Sequence, residues 1–203
     1  MSKKRTSIYE QSNELWRRLS MEFGGELIDR QGWRQDQVRV QLDSWIVTID
    51  HHSEPGYKSE TLYTRLRAPY VNPDSFRFEI YRETLFGSVA RLLGAQDIET
   101  GYEEFDHHYR VKSNDPDKVR QLCAGHKLRA LIRTEPDLYL HVRDSGDWFA
   151  EYFPQGVDEL CLEVEGRVAN YERLTQLYVL FSEIMHRLCL IGSAYEGSVE
   201  LED

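Results

Sequence analysis

The chain of 203 residues has little cysteine and no excess of positive charge. Its three cysteines, at 123, 161 and 189, are far apart and form no C-x-x-C pair, so neither a disulfide framework nor a structural zinc site is predicted. The formal net charge is −10, and the basic cluster at residues 3–5 lies at the N-terminus. Proteins that neutralise phosphates normally carry a basic surface, so we expect no nucleic-acid partner.

The sequence also lacks any apolar run that approaches the roughly 18 residues needed to span a bilayer. Its first residues, MSKKRTSIYEQSNELW, contain no apolar stretch of the kind found in secretory signals. These features predict a cytoplasmic protein without a membrane partner. Apolar residues make up 40% of the chain and charged residues 30%, which is typical of a globular fold rather than of disorder.

Much of the sequence alternates apolar and polar residues, a pattern that predicts half-buried strands. Such strands are expected within residues 38–51, 62–67, 76–81, 105–111, 137–144 and 159–166. Helical spacing is found within residues 7–23, 84–94, 115–132 and 171–191. We predict an α+β fold in which helices cover one face of an antiparallel sheet and the other face is wetter.

No linker rich in proline, glycine or serine divides the chain. We therefore predict a single α+β domain over residues 1–195, in which residues 1–96 and 97–195 are possible pseudo-lobes. The acidic tail at 196–203 is expected to be disordered.

The C-terminal helix has the clearest pattern. Asn170 is a good N-cap, Gly192 is a typical stop, and apolar residues between them recur at helical spacing. We expect this stripe, which includes Phe181, to pack on the strands around 138–142 and 160–164.

The triplet Asp-His-His occurs twice, at residues 50–52 and 106–108, and holds four of the seven histidines. If both triplets lie in neighbouring strands, their polar-face residues meet: Asp50, His52, Asp106 and His108. Two imidazoles and two carboxylates are reasonable ligands for zinc or manganese. The alternative, which we favour, is that these side chains pair with arginines across strands. We therefore predict no metal and no cofactor.

Established catalytic patterns are missing from the sequence. It contains no G-x-S-x-G, no phosphate loop, no G-x-G-x-x-G and no H-E-x-x-H. The Asp-His-His triplet is similar to the motif of a phosphoesterase family, but the further aspartate motifs of those α/β enzymes are absent. No catalytic residue is predicted.

Two surface features remain as candidate binding sites. Tyr63, Arg65 and Arg67 share one face of a predicted strand and would suit a carboxylate or phosphate, unless they form a solvated, salt-bridged surface. Large aromatic residues in a predicted loop would either anchor a partner or fold over the core. These aromatic residues are Trp148, Phe149, Tyr152 and Phe153.

The segment FDHHYRVKSND resembles a recurring segment of uncharacterised bacterial proteins, F-D-x-x-[FY]-x-V-x-[SGA]-[ND]-D. The residues that match are Phe105, Asp106, Tyr109, Val111, Ser113, Asn114 and Asp115. In that family a strand leads into a helix, two more strands and a long last helix, and the likeness covers residues 97 to 195. The resemblance implies a fold, but neither an activity nor catalytic residues.

Together these observations favour a non-catalytic binding or interaction module for an unknown protein or small molecule. A metal-dependent hydrolase that uses the Asp/His set and an anion-binding regulatory module that uses the arginines are the alternatives. A homodimer is also left open by the sequence.

Overall fold

The computed structural model describes residues 14–28, 37–55, 60–82, 96–135, 137–143 and 153–195. Its helices are α1 (14–22), α2 (Glu103–His108), α3 (Pro116–Cys123), α4 (His126–Thr134) and α5 (Tyr171–Leu190). Its strands are β1 (Glu26–Ile28), β2 (Gln37–Leu42), β3 (Trp45–Pro55), β4 (Glu60–Val71), β5 (Phe78–Tyr81), β6 (Arg110–Ser113), β7 (Leu138–Arg143) and β8 (Val157–Glu165). The predicted α+β class is confirmed. The predicted helix at 84–94 and the tail at 196–203 lie outside the described residues.

All eight strands form one sheet in the order β1-β2-β3-β4-β8-β7-β5-β6, and every pairing is antiparallel. At its centre, β4 pairs with β8 from Tyr63 to Val71, so the two halves of the chain contribute to the same sheet. Residues directly opposite each other in neighbouring strands share a face of the sheet. The register therefore assigns each strand residue to one of two faces.

One face of the sheet is apolar and is covered by α5, as predicted. Its central side chains come from β7 and β8 and are almost completely buried: Leu138, Leu140, Val142, Leu160, Leu162 and Val164. In the same core lie Leu174, Leu177, Leu180, Phe181, Ile184, Met185 and Leu188 of α5. The side chain of Asn170 accepts a hydrogen bond from the Arg173 amide, and Gly192 has a φ of 73° just beyond the helix. Both predicted ends of α5 are thus confirmed.

Helix α1 packs near the β3 end of the same apolar face. Trp16 and Leu19 are its fully buried side chains. Arg18 stacks 3.9 Å from the ring centroid of Tyr171, and the Phe23 ring, just beyond the helix, lies 4.5 Å from that of Tyr178. Helix α1 is therefore attached both to the sheet and to α5.

The strand predicted over residues 105–111 is wrong in its first half. Residues Glu103–His108 form helix α2, and strand β6 begins only at Arg110. The apolar residues here, Phe105 and Tyr109, are four apart, a spacing that strand and helix both satisfy. In the structure their rings stack 4.9 Å apart, and Glu103 and Glu104 occupy the first helical turn, where acidic side chains are favourable.

Replacement of Asp115 by alanine is expected to lower the free energy of unfolding by about 1 kcal/mol. The Asp115 carboxylate accepts hydrogen bonds from the amides of Asp117 and Lys118 and caps α3. Urea denaturation measures the change. The control is Asp117→Ala, which removes an exposed ion pair with Arg120. Equal losses in the two variants would contradict the capping role.

Candidate functional site on the charged face

The second face of the sheet carries charged side chains that are buried. We call this set the charged face: Asp50, Arg65, Arg67, Glu79, Tyr139, His141, Arg143, Glu159, Cys161 and Glu163. The register arranges them in rows. Asp50 lies opposite Arg65, Arg65 opposite Glu163, and Glu163 opposite Tyr139. Acidic and basic groups therefore alternate from strand to strand.

Two arginines of β4 form the centre of an ion-pair network. The Nε and Nη2 groups of Arg65 donate to Oδ1 and Oδ2 of Asp50, both at 2.9 Å. Arg67 donates from Nε to Asp50 Oδ2 at 3.3 Å and from Nη1 to Glu159 Oε1 at 3.0 Å. Bidentate pairs of this kind are the stronger class of charged hydrogen bond.

The network is not a solvated surface. Only 13% of the Arg65 side chain, 14% of the Arg67 side chain and 9% of the Asp50 side chain is exposed. The predicted alternatives for Tyr63, Arg65 and Arg67 were an anion clamp or a solvated, salt-bridged face. The salt bridges are confirmed, but the solvation is wrong because all three side chains are largely buried. The predicted cross-strand pairing of Asp50 with an arginine is confirmed.

The electrostatic balance keeps Arg65 charged. Burial opposes its charge, but the neighbouring carboxylate of Asp50 outweighs this effect, so the pKa of Arg65 is raised above its ordinary value. Since Asp50 also binds Arg67, removing that one carboxylate would leave two buried guanidinium groups with a weakened partner set.

The cysteine on this face acts as a hydrogen-bond donor. The Cys161 Sγ donates to Glu159 Oε2 at 3.4 Å, and Glu159 also lies 3.9 Å from the Nε of Arg143. Burial raises the pKa of the Cys161 thiol well above its ordinary value. Burial also raises the pKa of Cys123 to about 12. Neither thiol has the thiolate character that nucleophilic cysteines require.

Aromatic rings occupy the other end of the charged face. Tyr139 and His141, two residues apart on β7, stack with their ring centroids 4.2 Å apart. The Tyr139 hydroxyl donates to Glu79 Oε1 at 3.1 Å, and the Tyr81 ring meets Tyr139 edge-on at 6.1 Å. This end combines two carboxylates, those of Glu79 and Glu163, with buried rings that carry both an apolar face and a polar group.

The candidate metal ligands do not come together. Asp50 and His52 lie on β3, whereas Asp106 and His108 lie on α2, next to β6. Four strands separate β3 from β6 in the sheet. Within the described ranges no group of three or more histidine, cysteine or acidic side chains is placed to hold a metal ion. The expectation that both triplets lie in strands fails because residues 106–108 are helical.

Asp106 has a structural partner instead. Its Oδ1 accepts hydrogen bonds from the amide and the hydroxyl of Thr100, at 3.0 and 2.6 Å, and its Oδ2 accepts from the Gly101 amide at 3.0 Å. The Nδ1 of His108 lies 2.8 Å from the carbonyl oxygen of Glu104 within the helix. Asp106 thus fixes the chain that leads into α2.

The remaining residues of the recurring segment are also structural. Asn114 accepts a hydrogen bond from the Arg77 amide at 2.8 Å and donates to the Ser75 carbonyl at 2.7 Å. The Ser113 hydroxyl donates to the Arg77 carbonyl at 2.8 Å, while Asp115 caps α3. Ser75 has a φ of 54°, an unusual conformation that these bonds stabilise. The segment joins the turn before β5 to α3.

The predicted aromatic surface is only partly visible. Phe153 is buried, with 4% of its surface exposed, so it does not act as an exposed anchor. Trp148, Phe149 and Tyr152 lie outside the described residues.

Sequence reasoning also missed several members of the charged face, among them Glu159, Glu163 and His141. A usable signal was the alternation in ELCLEVE and LYLHVR, which places these polar side chains opposite the apolar core residues. Alternation does not reveal whether the polar side is buried.

Comparisons with protein-family models, curated proteins and solved structures found no match. No helix in the described part of the chain is long and apolar enough to cross a membrane.

Proposed function

We propose that the protein is a cytoplasmic, non-catalytic binding module, and that the charged face recognises a small molecule with charged groups of both signs. The observation that carries this proposal is the concentration of buried charge on that face. Transfer of a charged group out of water costs several kcal/mol, and an apolar face would avoid that cost. Buried, interacting charges are more frequent at functional sites than elsewhere.

The pairing of the charges supports binding rather than catalysis. Arg65 and Arg67 are held by Asp50 and Glu159, which fixes their orientation. The thiol of Cys161 is kept protonated by burial. Fixed donors and acceptors suit recognition, because little conformational entropy is lost when a ligand replaces part of the network.

The alternation of charge indicates the class of ligand. One row runs from Asp50 through Arg65 to Glu163, so acceptors lie on both sides of a donor. A ligand with one charge sign would meet repulsion from its nearest neighbours in such a row. A zwitterion, such as a free amino acid, can satisfy both signs. The charged side chains are largely buried, which favours a small ligand over a protein surface.

A thermal-denaturation screen with the free amino acids tests this function. We expect at least one of them to raise the Tm of the wild type by several degrees at a concentration well above its Kd, since ligand at about 100 times Kd stabilises by about 2.7 kcal/mol. Glu163→Gln should lose that stabilisation. The matched control, Glu172→Gln, changes an exposed residue of α5 and should keep it.

Phosphate and spermidine serve as ligands of a single charge sign. A larger stabilisation by phosphate than by every amino acid would favour the anion-binding module instead. If no amino acid stabilises the wild type, or if Glu163→Gln responds as the wild type does, the proposed site is wrong.

A further inference from the structure

A histidine lies in the apolar core, on the side of the sheet opposite the charged face. His51 of β3 has only 8% of its surface exposed and pairs in register with Thr64 of β4. Its ring meets the Trp16 ring of α1 edge-on, with centroids 5.0 Å apart. Its Nε2 atom is buried and has no hydrogen-bond partner among the residues that the structure describes.

The surroundings of His51 do not favour a positive charge. The Thr64 hydroxyl is already engaged, since it donates to the Gly166 carbonyl at 2.8 Å and accepts from the Val168 amide at 2.9 Å. Arg167, which lies between Gly166 and Val168 in the sequence, adds a positive charge near the His51 ring.

Among the described residues, Asp50 is the acidic group that acts on the His51 ring. Asp50 favours protonation of His51, but its side chain points to the charged face and binds Arg65. The charged residues of α1, which are Glu14, Arg17, Arg18 and Glu22, are exposed, and the side chain that α1 directs at the ring is Trp16.

We propose that His51 is an acid-sensitive anchor for α1, and that protonation of its ring releases α1 from the sheet before the sheet itself unfolds. Trp16 and Leu19 are the two fully buried side chains of α1, and Leu15 packs beside them, so a charge beneath Trp16 affects a large share of the helix's attachment to the sheet. The strands around His51 are held by long antiparallel ladders, from Thr48 to Pro55 of β3 and from Tyr63 to Val71 of β4.

The pH window follows from the pKa of His51. Burial, with a further contribution from Arg167, lowers this pKa from 6.5 to about 4. When α1 is released, His51 takes up a proton with its ordinary pKa of 6.5. Docking of α1 is therefore unaffected above pH 6.5 and weakens as the pH falls towards 4. Below that value both states are protonated and the effect is complete. The docking equilibrium should fall by up to about 300-fold over this window, about tenfold per pH unit.

Hydrogen exchange followed by mass spectrometry tests the anchor on the full chain. Exchange in peptides from residues 14–22 is compared at about pH 7.5 and about pH 4.5, after correction for intrinsic exchange rates. We expect protection in α1 to fall in acid while β4 and β8 stay protected. His51→Phe keeps a ring against Trp16 without a titrating group, so its α1 protection should not change with pH.

Three outcomes would overturn the proposal: unchanged protection of α1 in the wild type, the same acid response in His51→Phe, or simultaneous loss of protection across α1 and the sheet. If His51→Phe does not fold, an NMR titration of the wild-type histidines decides the question. A ring that titrates near pH 4, together with a shift of the Trp16 indole signal, supports the anchor. Titration of every histidine near pH 6.5 contradicts it.

Discussion

Replacement of Phe181 by alanine is expected to lower the free energy of unfolding by about 3–5 kcal/mol. Phe181 is completely buried between α5 and the apolar face of the sheet, so truncation removes a large apolar surface and leaves a cavity in a close-packed core. The loss is a large part of the roughly 5–15 kcal/mol that typically stabilises a domain. Urea denaturation, followed by circular dichroism, measures it.

Val179→Ala is the matched control for this prediction. Val179 lies on the same helix and is 40% exposed, so its truncation should cost no more than about 1 kcal/mol. Size-exclusion chromatography separates the core role of α5 from a role at an interface between copies of the chain. Altered elution of Phe181→Ala without loss of stability would show that the helix mediates association.

Asp50→Asn should be as destabilising, at about 3–5 kcal/mol, because it removes one partner from a buried ion network. The substitution preserves the size of the side chain but leaves Arg65 and Arg67 without the carboxylate that they share. The comparison variant is Asp117→Asn, whose ion pair with Arg120 is exposed and should contribute no more than about 1 kcal/mol. Equal effects of the two substitutions would mean that the charged face is open to water.

The sequence pattern was sufficient to predict α5, since its information is local. A cap at Asn170, a stop at Gly192 and a continuous apolar stripe between them all indicate the same helix. Helical spacing was also predicted within residues 115–132, and α3 and α4 cover most of that range. In α3 and α5 the cap and the periodicity agree.

The segment around Asp106 was misassigned because its local signals disagree. Its two aromatic residues, Phe105 and Tyr109, satisfy both periods, and the deciding contacts come from Thr100 and Gly101, which hold Asp106. The pairing of strands that are distant in sequence could not be predicted either. No residue pattern shows that β3 and β6 lie at separate positions in the sheet order, so the proposed meeting of the two triplets could only be tested in three dimensions.

The candidate site was predicted in part. Tyr63, Arg65 and Arg67 were assigned correctly to one face of a strand, because alternation defines which side chains share a face. Their burial could not be predicted, since a charged side chain in a strand normally faces solvent. The acidic partners Asp50 and Glu159 come from strands that are distant in sequence from each other, and only the register brings them to the same arginine.

The most direct test of the central claim is an NMR titration of the arginine Nε–H signals with the amino acid that stabilises the protein most. If the charged face is the recognition site, the signals of Arg65, Arg67 and Arg143 shift in a saturable manner, and the signal of the exposed Arg120 stays in place. Saturable shifts confined to residues outside the charged face would contradict the claim.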